Sequence, residues 1–138
     1  MFMNKFIGQT YGIMRIITGF LILWHGSQKL FSFPPPGQDI PAFVMTIAGP
    51  IELFGGILIA VGLWTRYVAF LASGLMAFAY WIAHGTQAFL PIVNQGELAV
   101  LYCFVFLYIS ANGGGIWSID AVIASRGGAQ TQSPDGRI

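Results

Sequence analysis

Residues 11–31 run almost without charge, carrying only Arg15 and Lys29 as fixed charges. At ~1.5 Å per helical residue, these roughly 21 residues reach across the hydrocarbon core of a bilayer. The run ends in Leu23-Trp24-His25-Gly26-Ser27-Gln28-Lys29-Leu30-Phe31, which sets a histidine, an amide and a lysine inside or just under the membrane surface. Ionisable groups are costly at that depth and pair with groups on neighbouring spans. The polar patch therefore predicts further spans whose polar residues face it.

Composition agrees. Charged residues make up 8% of the chain and hydrophobic ones 56%, with a mean hydropathy of +0.72, whereas a soluble domain carries roughly a quarter charged residues. This is the profile of an integral membrane protein in contact with lipid. A net charge of +1 gives no footprint for nucleic acid. The single cysteine, Cys103, excludes an intrachain disulfide or a two-cysteine relay within this chain.

Along the chain, residues 1–10 with Lys5 read as an interfacial lead-in. A cleaved signal peptide fits less well, because the apolar run ends in Gln28, Lys29 and Phe31 rather than in small residues. The Pro34-Pro35-Pro36-Gly37 stretch and Pro41 force a loop. A second span is expected over 42–63, kinked at Gly49-Pro50, with Glu52 one turn beyond the proline near mid-depth. Ala48, Gly56 and Ala60 share a ridge with Glu52 at four-residue spacing, which allows close approach of a neighbouring helix. A tight turn at residues 64–66 leads to a third span over 67–90, with Tyr80 and His84 on one stripe. After a loop at 91–96, a shorter fourth span covers 97–111 and starts at Glu97. The triple glycine 113–115 stops it, residues 116–123 read as a short interfacial piece anchored by Trp117, and residues 124–138 as a disordered tail. The fold class expected is all-α: a four-transmembrane-helix antiparallel bundle with a short interfacial C-terminal helix, forming one membrane domain over residues 1–123.

With four spans, Lys5, Arg15, Arg66, Arg126 and Arg137 fall on one side and Lys29 on the other, so the positive-inside rule places both termini in the cytoplasm. Counting ~1.5 Å per residue from the outer surface puts His25 and His84 about 9 Å deep, Glu52 about 15 Å deep, and Lys29 and Glu97 near the surface. His25, Lys29, Glu52, His84 and Glu97 are thus expected to converge in the outer half, with Arg15 lining the lower part of the same interior.

Several segments in order carry a family likeness. They are Arg15-x3-Gly19, His25-Gly26-x2-Lys29-Leu30-Phe31, Glu52-x2-Gly55-Gly56 leading to Gly62-Leu63-x-Thr65-Arg66, Gly96-Glu97-x-Ala99-x2-Tyr102, and Gly113-Gly114-Gly115-x-Trp117-Ser118-Ile119-Asp120. Together, over residues 15–123, they resemble the DoxX family. The resemblance implies a small four-helix protein of the bacterial inner membrane. Members of that family are associated with quinone-linked sulfur oxidation, with membrane complexes handling oxidative or thiol stress, and with resistance to quinone-like compounds.

Three functional readings follow. In the first, the chain is a subunit of a quinone-linked membrane redox complex: His25 or Lys29 donates to a quinone carbonyl, Glu52 or Glu97 relays a proton, and a partner subunit supplies electrons. His84 and Arg15 complete the candidate ligand-binding set, and His25 with His84 are the only candidate haem or metal ligands. In the second, the chain is a non-catalytic accessory subunit in which Glu52 forms a structural bond to Arg15 or Lys29. In the third, the ionisable cluster lines a path for protons or small solutes.

Overall fold

In the computed structural model, which describes residues 2–37, 39 and 41–129, every regular element is a helix. A 3₁₀ turn at Asn4–Phe6 feeds α1 (Ile7–Phe31) without a break, so most of the expected lead-in belongs to the first helix. Next come α2 (Ala42–Val61) and α3 (Thr65–Ala79), which passes into a π-helical turn at Tyr80–Gly85. They are followed by the single turn α4 (Pro91–Asn94), then α5 (Glu97–Asn112) and α6 (Ile119–Ala129). The third apolar segment, expected as one α-helix over 67–90, thus changes helical type at Tyr80 and stops at Gly85. The last helix reaches Ala129, past the interfacial piece expected at 116–123 and into the stretch expected to be disordered. The remainder of that stretch, 130–138, lies outside the described residues.

Three helical segments, Asn4–Phe31, Ala42–Val61 and Thr65–Gly85, are long and apolar enough to cross a membrane, and α5 is apolar but shorter. Their outward faces carry large apolar side chains such as Phe20, Phe54, Phe70, Phe78 and Phe104, all at least half exposed. Apolar exposure on that scale is what a lipid-facing surface requires and what water does not tolerate.

The helices associate as two tight pairs, α1 with α2 and α3 with α5, which meet along α2 and α3. One apolar core draws on all four: Ile22 from α1, Ile59 from α2, Ala69, Ala72 and Met76 from α3, and Tyr102, Phe106 and Ile109 from α5. Backbone contact closes the α1–α2 pair. A Cβ at Gly19 would sit 2.6 Å from the Ala60 nitrogen, and one at Gly56 2.7 Å from the Gly19 oxygen. This is the close approach that the small-residue ridge on α2 predicts, with Gly19 and Gly26 as its counterpart on α1. α2 continues through Pro50 and ends at Gly62, whose φ of 72° and hydrogen bonds to Leu58 and Ile59 form a left-handed cap.

Candidate functional site

At the end of the molecule where α1 finishes and α2 begins, His25, Lys29, Glu52 and His84 line one cavity of about 360 Å³, together with Ile22, Met76, Gln95 and Tyr102. The two histidines, Lys29 and Glu52 come from three elements. His25 and Lys29 stand one turn apart on α1, and Glu52 is on the face of α2 that the glycine contacts press against α1. Lys29 Nζ forms an ion pair with Glu52 Oε2, the carboxylate being 5% exposed and the lysine side chain 15%. A lone carboxylate at that burial would be expensive, and the ammonium beside it compensates.

His84 is set by the π-helical turn. Its Nδ1 lies 2.9 Å from the Asn94 carbonyl oxygen, an arrangement in which Nδ1 donates and Nε2 is left as the free ring nitrogen. Asn94, only 4% exposed, holds this corner together. Its Nδ2 donates to the Tyr80 hydroxyl (3.2 Å) and to the Ala88 carbonyl (2.8 Å), and its Oδ1 accepts from the Gly96 amide (2.8 Å). The His25 ring meets Tyr102 edge to face with centroids 6.3 Å apart, and Tyr102 stacks on Phe106.

Four of the six sequence candidates therefore converge, and two do not. Glu97 is the exposed first residue of α5 and is not part of the cavity wall. It sits where a helix N-terminus favours a carboxylate, which accounts for its position without a ligand. Arg15 is fully buried at the opposite end. Its Nη1 donates to the Ile59 and Ala60 carbonyls, both at 2.6 Å, and its Nη2 to the Trp117 carbonyl at 2.8 Å. Those groups include the last carbonyls of α2, where a cation is favoured. Glu52 thus pairs with Lys29 rather than with Arg15. Tyr102, Gln95 and Asn94 are the contributors that residue type alone undervalues. Tyr102 shows in the sequence only through the Gly96-Glu97-x-Ala99-x2-Tyr102 spacing, and nothing in the sequence marks Asn94.

The Arg15 end is a set of helix caps supplied from far along the chain. Arg66 Nη1 donates to the carbonyls of Ser110 and Ala111, and Nη2 to that of Asn112, closing the end of α5. The Asp120 carboxylate accepts from the amides of Trp64 and Thr65, each at 2.9 Å, and caps the start of α3. Partial burial pushes the Asp120 carboxyl up. The bonds from Thr65 and Trp64, with the nearby Arg15 charge, outweigh this and hold it below the usual carboxylate value. A carboxyl depressed on folding stabilises the fold above its unfolded pKa, and that contribution disappears as pH falls through the folded value. Asp120→Asn is therefore expected to lower stability at pH 7 by about 1 kcal/mol. In thermal melts of the purified protein, the gap to wild type should narrow as the pH drops below about 4; a constant gap would show that the charge contributes nothing.

Comparison with known proteins gives these features a family. The DoxX family profile matches residues 11–85, which include His25, Lys29, Glu52 and His84. An uncharacterized protein of Haemophilus influenzae is 34% identical over 125 residues, 86% of this chain and 93% of the relative. A Bacillus subtilis protein named "Putative oxidoreductase CatD" is 26% identical over 126 residues, 88% of this chain and 92% of the relative. No solved structure matches. The profile spans more than half of the chain and the Haemophilus relative nearly all of it: the protein belongs to the DoxX family of membrane proteins.

Proposed function

We propose that the chain is a subunit of a quinone-linked redox complex of the bacterial inner membrane, with the Lys29–Glu52 cavity as its quinone site. The carrying observation is a buried ion pair lining a largely apolar cavity in company with two histidines and a tyrosine. Such a pocket suits a flat, weakly polar ring with carbonyl groups at its edge: apolar walls take the ring, and a few placed polar groups orient it. Reduction of a quinone to the quinol takes up two electrons and two protons. In this reading a partner subunit supplies the electrons, Lys29 and His25 donate hydrogen bonds to a carbonyl, and the Glu52 carboxylate relays the two protons, each taken up from water and handed to an oxygen as charge builds there. The name of the Bacillus relative is consistent with redox work.

A haem held by His25 and His84 is the alternative occupant. His84 Nδ1 donates to the Asn94 carbonyl and leaves Nε2 free, the nitrogen that would face iron, so visible absorption of the purified protein in reduced and oxidised states reads this alternative directly. The architecture proposed is an antiparallel bundle of four spans. Arg66 and Arg126 at the capped end set both termini in the cytoplasm by the positive-inside rule, which topology reporters fused to the C-terminus read directly.

Purification in mild detergent, followed by extraction and mass spectrometry of bound small molecules, tests the assignment. Wild type should carry quinone, and Glu52→Gln and His25→Ala should carry about tenfold less. Bare wild-type protein, or equal quinone in all three, would sink the proposal. One observation favours the accessory-subunit reading: Lys29 and Glu52 already satisfy each other and tie α1 to α2, so the pair accounts for itself as structure. Recovery of partner proteins, without quinone and equally in all variants, is the result that reading requires.

A further inference from the structure

The cavity's wall on the α2–α3 side is thin. A narrow slot of about 90 Å³, a quarter of the cavity's volume, runs between these helices. Val44, Ala48, Ala79 and Ala83 line both slot and cavity, so only small side chains and one valine separate the two spaces. Ile47, Phe78 and Ile82 also line the slot, and these three are 57%, 59% and 45% exposed on the apolar outer surface. Its lining side chains are all hydrocarbon. The slot therefore lies between the cavity's thin wall and the lipid-facing flank, bounded by apolar groups alone.

We propose that the ligand is a quinone bearing a long hydrocarbon tail, with the ring beside Lys29 and Glu52 and the tail laid through the α2–α3 slot into the bilayer. The inference rests on the quinone reading above and adds the class of quinone and the path of its chain. Two features favour a chain over a second ring. The slot is far smaller than the cavity beside it, and it offers no hydrogen-bonding side chain to orient a polar edge, whereas apolar contact is all a hydrocarbon needs. The other neighbouring space, a groove between α1 and α5, shares His25, Leu98 and Tyr102 with the cavity and adds Leu21, Trp24, Gln28 and Pro34. It is larger, at about 420 Å³, and Gln28 and His25 give it hydrogen-bonding side chains, so it matches a chain less well.

The test uses two probes on the full-length protein in one detergent: 2,3-dimethoxy-5-methylbenzoquinone without a tail, and its 6-decyl homologue. Leu75→Trp and Ile47→Trp each fill the slot at a residue that does not line the cavity, and the pair guards against either one failing to fold. Bound quinone is quantified after gel filtration. Comparing variant with wild type for the same probe removes the effect of micelle partitioning. Displacing even two buried methylenes is worth roughly a tenfold loss, so each variant should bind the decyl compound at least about tenfold more weakly and the tail-less ring as wild type does. Equal decyl binding in wild type and both variants would overturn the tail path while leaving the ring site standing. Loss of decyl binding in Leu21→Trp instead, at a residue of the α1–α5 groove that does not line the cavity, would overturn it too. No binding of either probe to wild type would remove the quinone reading itself.

Discussion

Lys29→Met, made alone, should lower the stability of the purified protein by about 3–5 kcal/mol, because it leaves the Glu52 carboxylate buried without its counter-charge. The double variant Lys29→Met/Glu52→Gln should recover most of that loss, since neither buried charge then remains. The contrast between single and double variants is the diagnostic result, and denaturation in mild detergent with a double-mutant cycle measures it. If the two single losses simply add in the double variant, the groups do not interact and the pair is not an organising element. Quinone retention should behave differently. Both the single and the double variant should lose it, because the recovered fold still lacks the ammonium and the carboxylate proposed to handle the ring. A double variant that regains stability and also keeps its quinone would assign the pair to architecture alone.

The second large effect is expected from a single methyl group. A Cβ at Gly26 would lie 2.2 Å from the Leu53 nitrogen, 2.7 Å from the Leu53 Cα and 2.8 Å from the Gly49 oxygen. All three are backbone atoms, so no side-chain rotation relieves the clash and α1 must move away from α2. Gly26→Ala should therefore reach or pass the upper end of the overpacking range, about 3 kcal/mol. The displacement also separates Lys29, one turn along α1, from Glu52, which adjoins Leu53 in sequence. Gly74→Ala supplies the control. Nothing lies within 4 Å of its added Cβ, and a helical glycine replaced by alanine should gain up to about 1 kcal/mol. Thermal melts of the two variants decide the matter. Equal and small effects would mean that the α1–α2 contact tolerates expansion and that the glycines do not set the spacing of the site.

How much of this was legible beforehand varied with the kind of question. The long apolar runs, the loop at the prolines and the close-packing ridge on α2 are local properties, and the structure carries each of them. Placing His25, Lys29, Glu52 and His84 at one end required only counting along helices, because residue depth follows from a fixed rise. Counting fails where the helix itself changes. The π-helical turn at Tyr80–Gly85 shifts the facing of everything after it, and the sequence has no marker for it. Glu97 misled for a related reason: depth along a helix says nothing about which side faces the interior, and this carboxylate faces out. Arg15 shares a helix face with Lys29, which suggested a common interior. Its guanidinium instead meets the carbonyls that end α2, groups contributed by a chain reversal more than forty residues away.

By itself the sequence determined that this is a helical membrane protein of the DoxX family, with its polar residues gathered on a few apolar segments. Hydropathy and the need of a backbone in lipid to satisfy its own hydrogen bonds are properties of each segment alone. Only the tertiary structure decided which cation meets Glu52, which charges are spent on helix ends, and where a cavity remains beside the ion pair. Those outcomes depend on how each helix is rotated and how closely it approaches its neighbour. Backbone contact at Gly19, Gly26 and Gly56 sets both for α1 and α2, and such a contact exists only once two distant segments are packed together.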